Sequence, residues 1–378
     1  MSTERTNIAV IGGGLVGMAV AYGLLRQGAK VAVLDEGDVA FRASRGNFAL
    51  IWVQGKGGGL PPYTLWTRRS AALWPEFARE LEEFSSIHIH LQQPGGFNLL
   101  LDEGALERRV AMLKKIDDAC RGLPDFPAGP SFSIVRANEL RRYFPEVGPQ
   151  VVGATFNSMD GHVNSLLFLR ALHVAFEKLG GRYLPGRKAS RIVPGSAGFV
   201  VETPAGPVHA ERVVLAAGID NGRLGEMVGL NVPVRPQRGQ VLITERMQPF
   251  MDYPIQMLRQ TDEGGLQIGD SVEEAGHDLS VRPGVLSVMA QRAVAFFPHL
   301  ANVRVVRSWS ALRVMTKDGY PVYDQSRTHP GAFVCTCHSG VTLGAVHALL
   351  AAPAIFSGGF NERFAPFSTR RFDVPAAA

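Results

Sequence analysis

Residues 8–35 read IAVIGGGLVGMAVAYGLLRQGAKVAVLD, and this stretch decides the architecture of the first part of the chain. The apolar run at residues 8–11 predicts a strand that is buried on both faces, and the Ala- and Leu-rich run at residues 15–26 predicts a helix. Residues 31–34 predict a second buried strand. A β-α-β unit with glycines directly after its first strand is typical of a domain that binds a dinucleotide.

Gly12, Gly14 and Gly17 give the spacing G-x-G-x-x-G at the junction of the first strand and the helix. The first glycine permits a tight turn, the second permits close approach of the backbone to a pyrophosphate, and the third permits close packing of the helix on the strand. Backbone N–H groups at the start of the helix, around Leu15 and Val16, provide partial positive charge for the phosphates.

Asp35 stands at the end of the second strand and is followed by Glu36. A carboxylate at this point accepts hydrogen bonds from both hydroxyl groups of a ribose. Strand, helix, second strand and terminal acid together favour a dinucleotide site over the alternative, a glycine-rich structural turn in another α/β protein. The motif does not separate FAD from NAD, so an NAD-dependent dehydrogenase stays open at this point.

Composition limits the classes of protein to which the chain can belong. Of its 378 residues, 46% are apolar and 19% are charged, which is enough apolar material for a sizeable core and too little charge for a disordered chain. The net charge is +5 and the basic residues are scattered, so we expect no nucleic-acid partner.

The three cysteines are not spaced as in a disulfide framework, and Cys335, Cys337 and His338 lack the fourth ligand of a zinc site. We therefore predict neither disulfides nor a metal. No run of about 18 apolar residues predicts a membrane span, and the first residues do not have the pattern of a secretory leader. We expect a cytoplasmic protein whose association with a membrane, where it occurs, is through a partner.

Local patterns predict further elements. Ser165 is expected to cap a helix at residues 166–179, because serine is favoured at that position and glycines follow the helix. Two separate strands are expected at residues 208–210 and 213–216. Nucleotide-binding signals recur at the start, the middle and the end of the chain, with strand-rich sequence between them, which favours one α/β domain built from separated segments.

Six further motifs are distributed over the chain. The motifs are ASRGN at residues 43–47, DGHVN at residues 160–164, VVLAAG at residues 213–218, PQRGQ at residues 236–240, WSALRVMTKD at residues 309–318 and HSGVTL at residues 338–343. They resemble motifs of the D-amino-acid-oxidase superfamily of FAD oxidoreductases, a group that includes glycine oxidase and sarcosine oxidase, and the resemblance covers essentially the whole chain.

The resemblance implies an α/β fold with a Rossmann-like FAD-binding domain of the glutathione-reductase type, interleaved with an antiparallel-sheet substrate domain. The expected FAD-binding domain comprises residues 1–80, 150–235 and 310–378. The expected substrate or interface domain comprises residues 81–149 and 236–309.

The resemblance further implies FAD that is held without a covalent bond. Backbone N–H groups at the start of the last helix are expected to stabilise negative charge on the reduced flavin, and Gly340 permits close approach. The residues expected to bind FAD are Gly12, Gly14, Leu15, Val16, Gly17, Asp35, Glu36, Ser44, Arg45, Gly46, Asn47, Ala189, Ala217, Gly218, Ser339, Gly340, Val341 and Thr342.

A narrower resemblance is carried by residues 42–50, 53–57 and 337–342, which are similar to the β subunits of the heteromeric octopine and nopaline oxidases. Those subunits are similar to the β subunits of D-hydroxyproline and proline dehydrogenases and to hydrogen cyanide synthase. The resemblance implies an α subunit with a flavin or an iron–sulfur centre as partner, a small γ subunit, and an FMN at the interface between subunits.

Arg313 is the first of four residues expected to act on the substrate. It matches the family arginine that binds the substrate carboxylate, which a planar guanidinium does through two hydrogen bonds. The alternative is a structural arginine paired with Asp318 or Asp324. His338 precedes the turn at the flavin and is either an acid–base group or a packed histidine.

Lys56 and Asn164 complete the set. Lys56 lies in a glycine-rich loop and is expected to hold an anionic group or a water at the flavin, with an exposed and mobile loop as the alternative. Asn164 lies in a loop that the family has near the flavin, and a structural turn is the alternative. For the neighbouring His162 the structural turn is favoured.

These expectations define an FAD-dependent oxidoreductase that acts on CH–NH donors. The favoured reaction is hydride transfer from a secondary-amine amino acid, an opine such as octopine or nopaline, to flavin N5, giving an imine that water hydrolyses. Three alternatives stay open: a β subunit of D-hydroxyproline or proline dehydrogenase, a stand-alone glycine or D-amino-acid oxidase, and an electron-relay subunit without a substrate site of its own.

Overall fold

The computed structural model describes residues 4–37 and 43–373, so Arg42 and the predicted domain ends at residues 1–3 and 374–378 lie outside the described residues. The α-helices of the described part are α1 Leu15–Arg26, α2 Pro61–Ser85, α3 Glu103–Cys120, α4 Ala137–Leu140, α5 Ser165–Lys178, α6 Asn221–Glu226, α7 Pro283–Phe296, α8 Gly344–Val346, α9 Ala352–Ser357 and α10 Phe360–Arg363. The strands are β1 Glu4–Ile11, β2 Val31–Leu34, β3 Leu50–Ile51, β4 Gly96–Leu100, β5 Ser133–Arg136, β6 Gly153–Asn157, β7 Gly161–His162, β8 Arg182–Leu184, β9 Arg191–Gly195, β10 Gly198–Glu202, β11 Val208–Leu215, β12 Val234–Arg246, β13 Leu258–Gln260, β14 Gly265–Ile268, β15 Val305–Thr316, β16 Val322–Gln325 and β17 Ala332–Thr336.

A large sheet forms the centre of the described structure, with strand order β16-β17-β11-β1-β2-β8 and with β10 and β9 added beside β11. β1 pairs in parallel with β2 and β11, and the pairs β11–β17 and β2–β8 are also parallel. Alternate residues of β1 face different cores: Val10 packs with α1, α2 and α5, whereas Ile11 packs with β9 and β10. Burial on both faces explains why residues 8–11 of β1 and residues 31–34 of β2 are continuous apolar runs.

Two antiparallel sheets lie beside this layer, with strand orders β13-β14-β12-β15 and β4-β6-β5. Both contribute to one core, which includes Phe97, Leu242 and Phe296. β12 and β15 pair along nearly their whole length, and Gln237 of β12 lies opposite Arg313 of β15. This long pairing carries Arg313 to the edge of the central layer.

Two local details correct the sequence-based expectation. Residues 208–215 form the single strand β11, because its first half pairs with β10 and its second half pairs with β17, so the polar residues in its middle do not interrupt it. Asn164, not Ser165, caps α5, because the Asn164 side chain accepts a hydrogen bond from the backbone N–H of Leu167 at 3.2 Å.

The helix that follows β17 is continuous, because the π-helical turn His347–Ala351 joins α8 to α9. β6 pairs with β4 and β5. The expected domain boundary at residue 150 therefore falls between two strands of one sheet. The division into domains itself stays a prediction. None of the described helices combines the length and the apolar character that crossing a bilayer requires.

Candidate active site

The glycine-rich turn after β1 has a tight geometry. Gly12 has a φ of +110°, and a Cβ at this position would lie 2.4 Å from the carbonyl oxygen of Ala216. A Cβ at Gly17 would lie 1.9 Å from the carbonyl oxygen of Gly12. Both positions therefore exclude a larger residue, and the turn brings the start of α1 against the end of β11.

A cleft extends from the start of α1 to the sheet β13-β14-β12-β15. Its walls come from segments that are far apart in the sequence: the turn before α1, the segment before β3, the end of β17 and facing parts of β12 and β15. The predicted site residues that line the cleft are Gly14, Leu15, Val16, Ser44, Gly46, Asn47, Lys56, Gly218, Arg313, His338, Ser339, Gly340, Val341 and Thr342.

The other predicted site residues lie outside the lining, and several of them organise its surroundings. Asp35 Oδ2 accepts a hydrogen bond from the backbone N–H of Gly13 at 2.7 Å, and Glu36 forms an ion pair with Lys188 at 3.0 Å. The backbone N–H of Ala217 donates to the side chain of Asn221 at 2.8 Å. The predicted residues outside the lining are Gly12, Gly17, Asp35, Glu36, Arg45, Asn164, Ala189 and Ala217.

Backbone N–H groups without a protein partner lie at two places in the lining. Within the described residues, the N–H groups of Gly14 and Val16 form no hydrogen bond, and neither do those of residues 340–342. The N–H of Leu15 between the first two donates to Ser44 Oγ at 2.9 Å. Unpaired donors at helix starts attract negative charge. The first place fits a pyrophosphate, and the second fits the electron-rich edge of a flavin.

Lys56, His338 and Ser339 meet in one hydrogen-bonded cluster in the cleft. Lys56 Nζ lies 3.1 Å from His338 Nε2 and donates to Ser339 Oγ at 3.0 Å, and the hydroxyl of Tyr63 donates to the same oxygen at 3.0 Å. Burial lowers the pKa of the Lys56 ammonium to about 8. Burial, assisted by the charges of Lys56 and Arg313, lowers the pKa of His338 well below its usual value. The imidazole is therefore neutral near neutral pH, and its Nε2 can accept the Lys56 proton in a hydrogen bond.

The loop that carries Lys56 is anchored by a buried carboxylate. Asp160 Oδ1 accepts a hydrogen bond from the backbone N–H of Val53 at 2.5 Å, and Oδ2 accepts one from Gln54 Nε2 at 2.8 Å. Gln54 Oε1 in turn accepts a hydrogen bond from Arg109 at 3.2 Å. Burial raises the pKa of Asp160 to about 7, although these hydrogen bonds oppose the shift. The carboxylate thus fixes the backbone that presents Lys56 to the cleft.

Arg313 lines the cleft from β15. Its guanidinium donates to the carbonyl oxygens of Ser271 at 2.8 Å and Arg238 at 3.3 Å. Burial lowers its pKa, and the charge of Asp270 opposes this effect. No carboxylate of the described residues forms an ion pair with Arg313. The guanidinium therefore keeps donors with which it can bind an anionic ligand.

The two carboxylates that were considered as structural partners of Arg313 are engaged elsewhere. Asp318 forms an ion pair with Arg371 at 2.7 Å. Asp324 accepts hydrogen bonds from the hydroxyl groups of Ser368 and Thr369, each at 2.7 Å.

Asn164 lies away from the cleft lining. It caps α5 and donates through Nδ2 to Asp262 at 3.1 Å. His162 is buried beside it, and burial lowers the pKa of this imidazole to about 3. The geometry of both residues is that of a structural turn.

The cysteines near the cleft are buried thiols. Cys335 is fully buried, and burial raises the pKa of the Cys337 thiol to about 12. In the described part of the chain, no group of three or more His, Cys, Asp or Glu side chains is arranged to hold a metal ion.

Sequence reasoning did not single out Tyr63, Gln256 or Asp270, although Gln256 and Asp270 line the cleft and Tyr63 contacts Ser339. Tyr63 lies in α2, where an aromatic residue on the buried face has the pattern of any core residue. Gln256 and Asp270 stand in no motif. Asp160 lies in the DGHVN motif, but the motif gives no sign of the hydrogen bonds that it forms.

The DAO family of FAD dependent oxidoreductases matches residues 7–354. The chain belongs to this family. It is 43% identical over 373 residues to an opine oxidase subunit of Agrobacterium tumefaciens (strain Ach5), and the match covers 99% of each sequence. It is 42% identical to the opine oxidase subunit of the same name in Rhizobium meliloti, with the same coverage. The crystal structure of glycine oxidase from Geobacillus kaustophilus has a TM-score of 0.87 at 26% identity and covers 98% of this chain and 99% of that chain.

These findings confirm three predictions: membership of the family, similarity to opine oxidase subunits, and the α/β fold of its FAD enzymes. The protein is an FAD-dependent oxidoreductase. The two groups of unpaired N–H donors in the cleft are compatible with this cofactor.

Proposed function

We propose that this chain is the catalytic subunit of a heteromeric dehydrogenase that oxidises a secondary-amine amino acid, in the first place an opine such as octopine or nopaline. The position of Arg313 carries the proposal, because its guanidinium lines the same cleft as Lys56 and His338 and has no carboxylate partner among the described residues. The 43% identity to an opine oxidase subunit supports the substrate class.

In this proposal Arg313 binds the substrate carboxylate and thereby orients the amine-bearing carbon. The neutral imidazole of His338 accepts a hydrogen bond from Lys56 and so orients the Lys56 ammonium beside the reacting group. Lys56, cationic below its pKa of about 8, holds Ser339 and adds positive charge beside the reacting group. In this proposal the three side chains bind the substrate, orient the reacting groups and provide positive charge within one cleft.

FAD, when bound, would supply the acceptor for a hydride equivalent from the carbon next to the substrate nitrogen. The nitrogen lone pair then forms the C=N bond, its proton leaves to solvent, and water splits the imine into a carbonyl compound and an amine. The unpaired N–H groups of residues 340–342 stabilise negative charge at this end of the cleft.

The remaining expectations belong to the same proposal. FAD is held without a covalent bond by the residues named for it above, in a domain built from residues 1–80, 150–235 and 310–378. The partners are an α subunit with a flavin or iron–sulfur centre and a small γ subunit, with an FMN at an interface. The complex is cytoplasmic, and any attachment to a membrane is through a partner. Both opine oxidase relatives are named as subunits, which supports a heteromeric complex.

The test is co-expression with neighbouring reading frames, followed by a visible spectrum and an anaerobic dye-reduction screen with octopine, nopaline, D-hydroxyproline, proline and glycine. We expect a yellow-brown complex whose flavin is bleached by an opine. Bleaching by proline or hydroxyproline alone would move the protein to the related dehydrogenases. Stoichiometric peroxide from glycine with the isolated chain would show a stand-alone oxidase instead.

The electron-relay alternative is separated by Arg313→Ala in the purified complex. We expect FAD content to be unchanged and substrate-dependent dye reduction to fall at least about 100-fold, since a charged anchor for the carboxylate is lost. The matched control is Arg246→Ala at the exposed end of β12. Full activity of the Arg313→Ala complex would move the substrate site to the partner.

A further inference from the structure

Asp270 follows β14 and lines the cleft together with Arg313 and Lys56. Its φ is +79°, in the left-handed region that residues with a Cβ rarely adopt. Strained backbone of this kind is concentrated at ligand sites, where the surrounding structure holds it. The left-handed conformation therefore indicates that Asp270 has a role at a ligand site.

The carboxylate is held in position but is not neutralised. Gln256 Nε2 donates to Asp270 Oδ2 at 3.3 Å, and Asn98 donates in turn to Gln256 Oε1. No cation of the described residues forms an ion pair with Asp270. Burial raises the pKa of the Asp270 carboxyl, and the charges of Arg313, Arg292 and Lys56 oppose this shift. Asp270 and Arg313 thus face one cleft without a hydrogen bond or an ion pair between them. A ligand that carries both a negative and a positive charge can therefore bind to the two residues.

We propose that Asp270 is a specificity-determining residue, which binds a cationic group at the far end of a substrate whose carboxylate is held by Arg313. The proposal rests on the proposed function and deepens it. Octopine and nopaline, the substrates of the proposed function, both end in a guanidinium group, so the new element is the residue that binds this group. Two oxygens of one carboxylate match the planar N–H donors of a guanidinium, whereas an uncharged side chain of the same shape offers no charge to pair.

The experiment compares two substrates that differ only in this charge: octopine, which is N2-(1-carboxyethyl)-arginine, and its counterpart N2-(1-carboxyethyl)-citrulline. The variants are Asp270→Asn and, as a matched control, Asp252→Asn on an exposed loop. Asparagine tolerates the left-handed conformation and keeps an oxygen for Gln256, so the variant removes charge without disturbing the backbone. The readouts are kcat/KM of the complex for each substrate and the rate of flavin bleaching in stopped flow.

We expect the wild-type complex to favour the guanidinium substrate at least about 10-fold in kcat/KM. Asp270→Asn is expected to lose about 10- to 100-fold on this substrate and less than threefold on its citrulline counterpart, while Asp252→Asn changes neither. Equal losses on both substrates would place Asp270 at the amine, and no loss would leave it without a role. Either result overturns the proposal and leaves the proposed function standing.

A second measurement separates this proposal from the choice of substrate. L-arginine and L-citrulline are titrated into the oxidised complex, and binding is followed by the change in the visible flavin spectrum. If no opine is oxidised, the proposed function fails, but tighter binding of arginine that is lost in Asp270→Asn still supports the cation site. Equal or absent binding of the two amino acids overturns it.

Discussion

The guanidinium of Arg313 lies directly on the backbone of Gly239. A Cβ at residue 239 would lie 2.6 Å from Nη1 of Arg313 and 2.7 Å from its Cζ. The two residues stand on the paired strands β12 and β15, where Gly239 is opposite Ala311. Because only glycine leaves this space free, the neighbouring strand determines where the guanidinium can lie.

We therefore expect Gly239→Ala to displace the Arg313 guanidinium without removing it. KM should rise at least about 10-fold with a smaller change in kcat, because the carboxylate anchor is moved and the cofactor end of the cleft is not. Steady-state kinetics of the complex provide the test. Gly129→Ala is the control, since a Cβ there has open space. An unchanged KM in Gly239→Ala would contradict the role of Arg313 in substrate binding.

The lowered pKa of Lys56 predicts that the activity of the complex depends on pH. Its pKa is lowered by burial to about 8, so the cation is present below that pH and is lost as the pH rises through it. We expect kcat/KM to fall above about pH 8, and Lys56→Met to lack this decline and to be about 10-fold less active below it. Profiles for both proteins and for the exposed control Lys317→Met check this. A decline that persists in Lys56→Met belongs to another group.

Asp160 predicts a pH dependence of stability. Burial raises its pKa in the folded protein from the usual 3.8 to about 7, so the folded state holds the proton more tightly than the unfolded chain does. The resulting stabilisation is fully present below about pH 4 and is lost as the pH rises through about 7, with an upper limit of about 4 kcal/mol.

Relative to Asp160→Asn, the wild-type free energy of unfolding should therefore decrease between pH 4 and 7. Urea denaturation at several pH values measures the difference, and the exposed Asp252→Asn serves as the reference for general charge effects. A difference between wild type and Asp160→Asn that is constant with pH would show that Asp160 ionises normally in the folded protein.

Substitutions at Gly340 and Gly17 are expected to distinguish an effect on cofactor binding from an effect on folding. A Cβ at this position would make only ordinary contacts, 3.5 Å from Val16 and 3.8 Å from Leu15, so Gly340→Ala should leave the cofactor-free protein as stable as the wild type. We expect FAD affinity to fall at least about 10-fold, because both neighbours line the cleft. Gly17→Ala, with a Cβ 1.9 Å from a carbonyl oxygen, should instead destabilise the cofactor-free protein. Fluorescence titration with FAD and thermal unfolding distinguish the two, and undiminished FAD affinity of Gly340→Ala would contradict the proposed position of the cofactor.

The β-α-β unit was predictable because its information is local. The apolar runs, the glycines and the acid all lie within residues 8–35, and the bounds of α1 are those that the pattern predicts. The course of β11 was not predictable in the same way, because its two halves pair with strands on separate segments. Strand continuity there depends on partners that a local window does not contain.

The residues of the candidate site show the same difference between local and long-range information. Arg313, Lys56 and His338 stand in motifs that resemble those of a known family, and all three line one cleft. Asn164 stands in such a motif too but caps a helix, since the short polar side chain that suits a ligand also suits a helix start. Asp270 has no motif, and only the fold brings it near Arg313.

The contact between Lys56 Nζ and His338 Nε2 joins residues that are 282 positions apart in the chain. A ribosome that has made the glycine turn and α1 has not yet made residues 340–342, which close the other end of the cleft. The glycine turn itself packs against Ala216, so neither end of the cleft is complete early in translation, and the whole cleft is complete only near its end. We therefore expect capture of the cofactor to be a late event in biogenesis, and a chain cut short before β17 to lack the means to retain it.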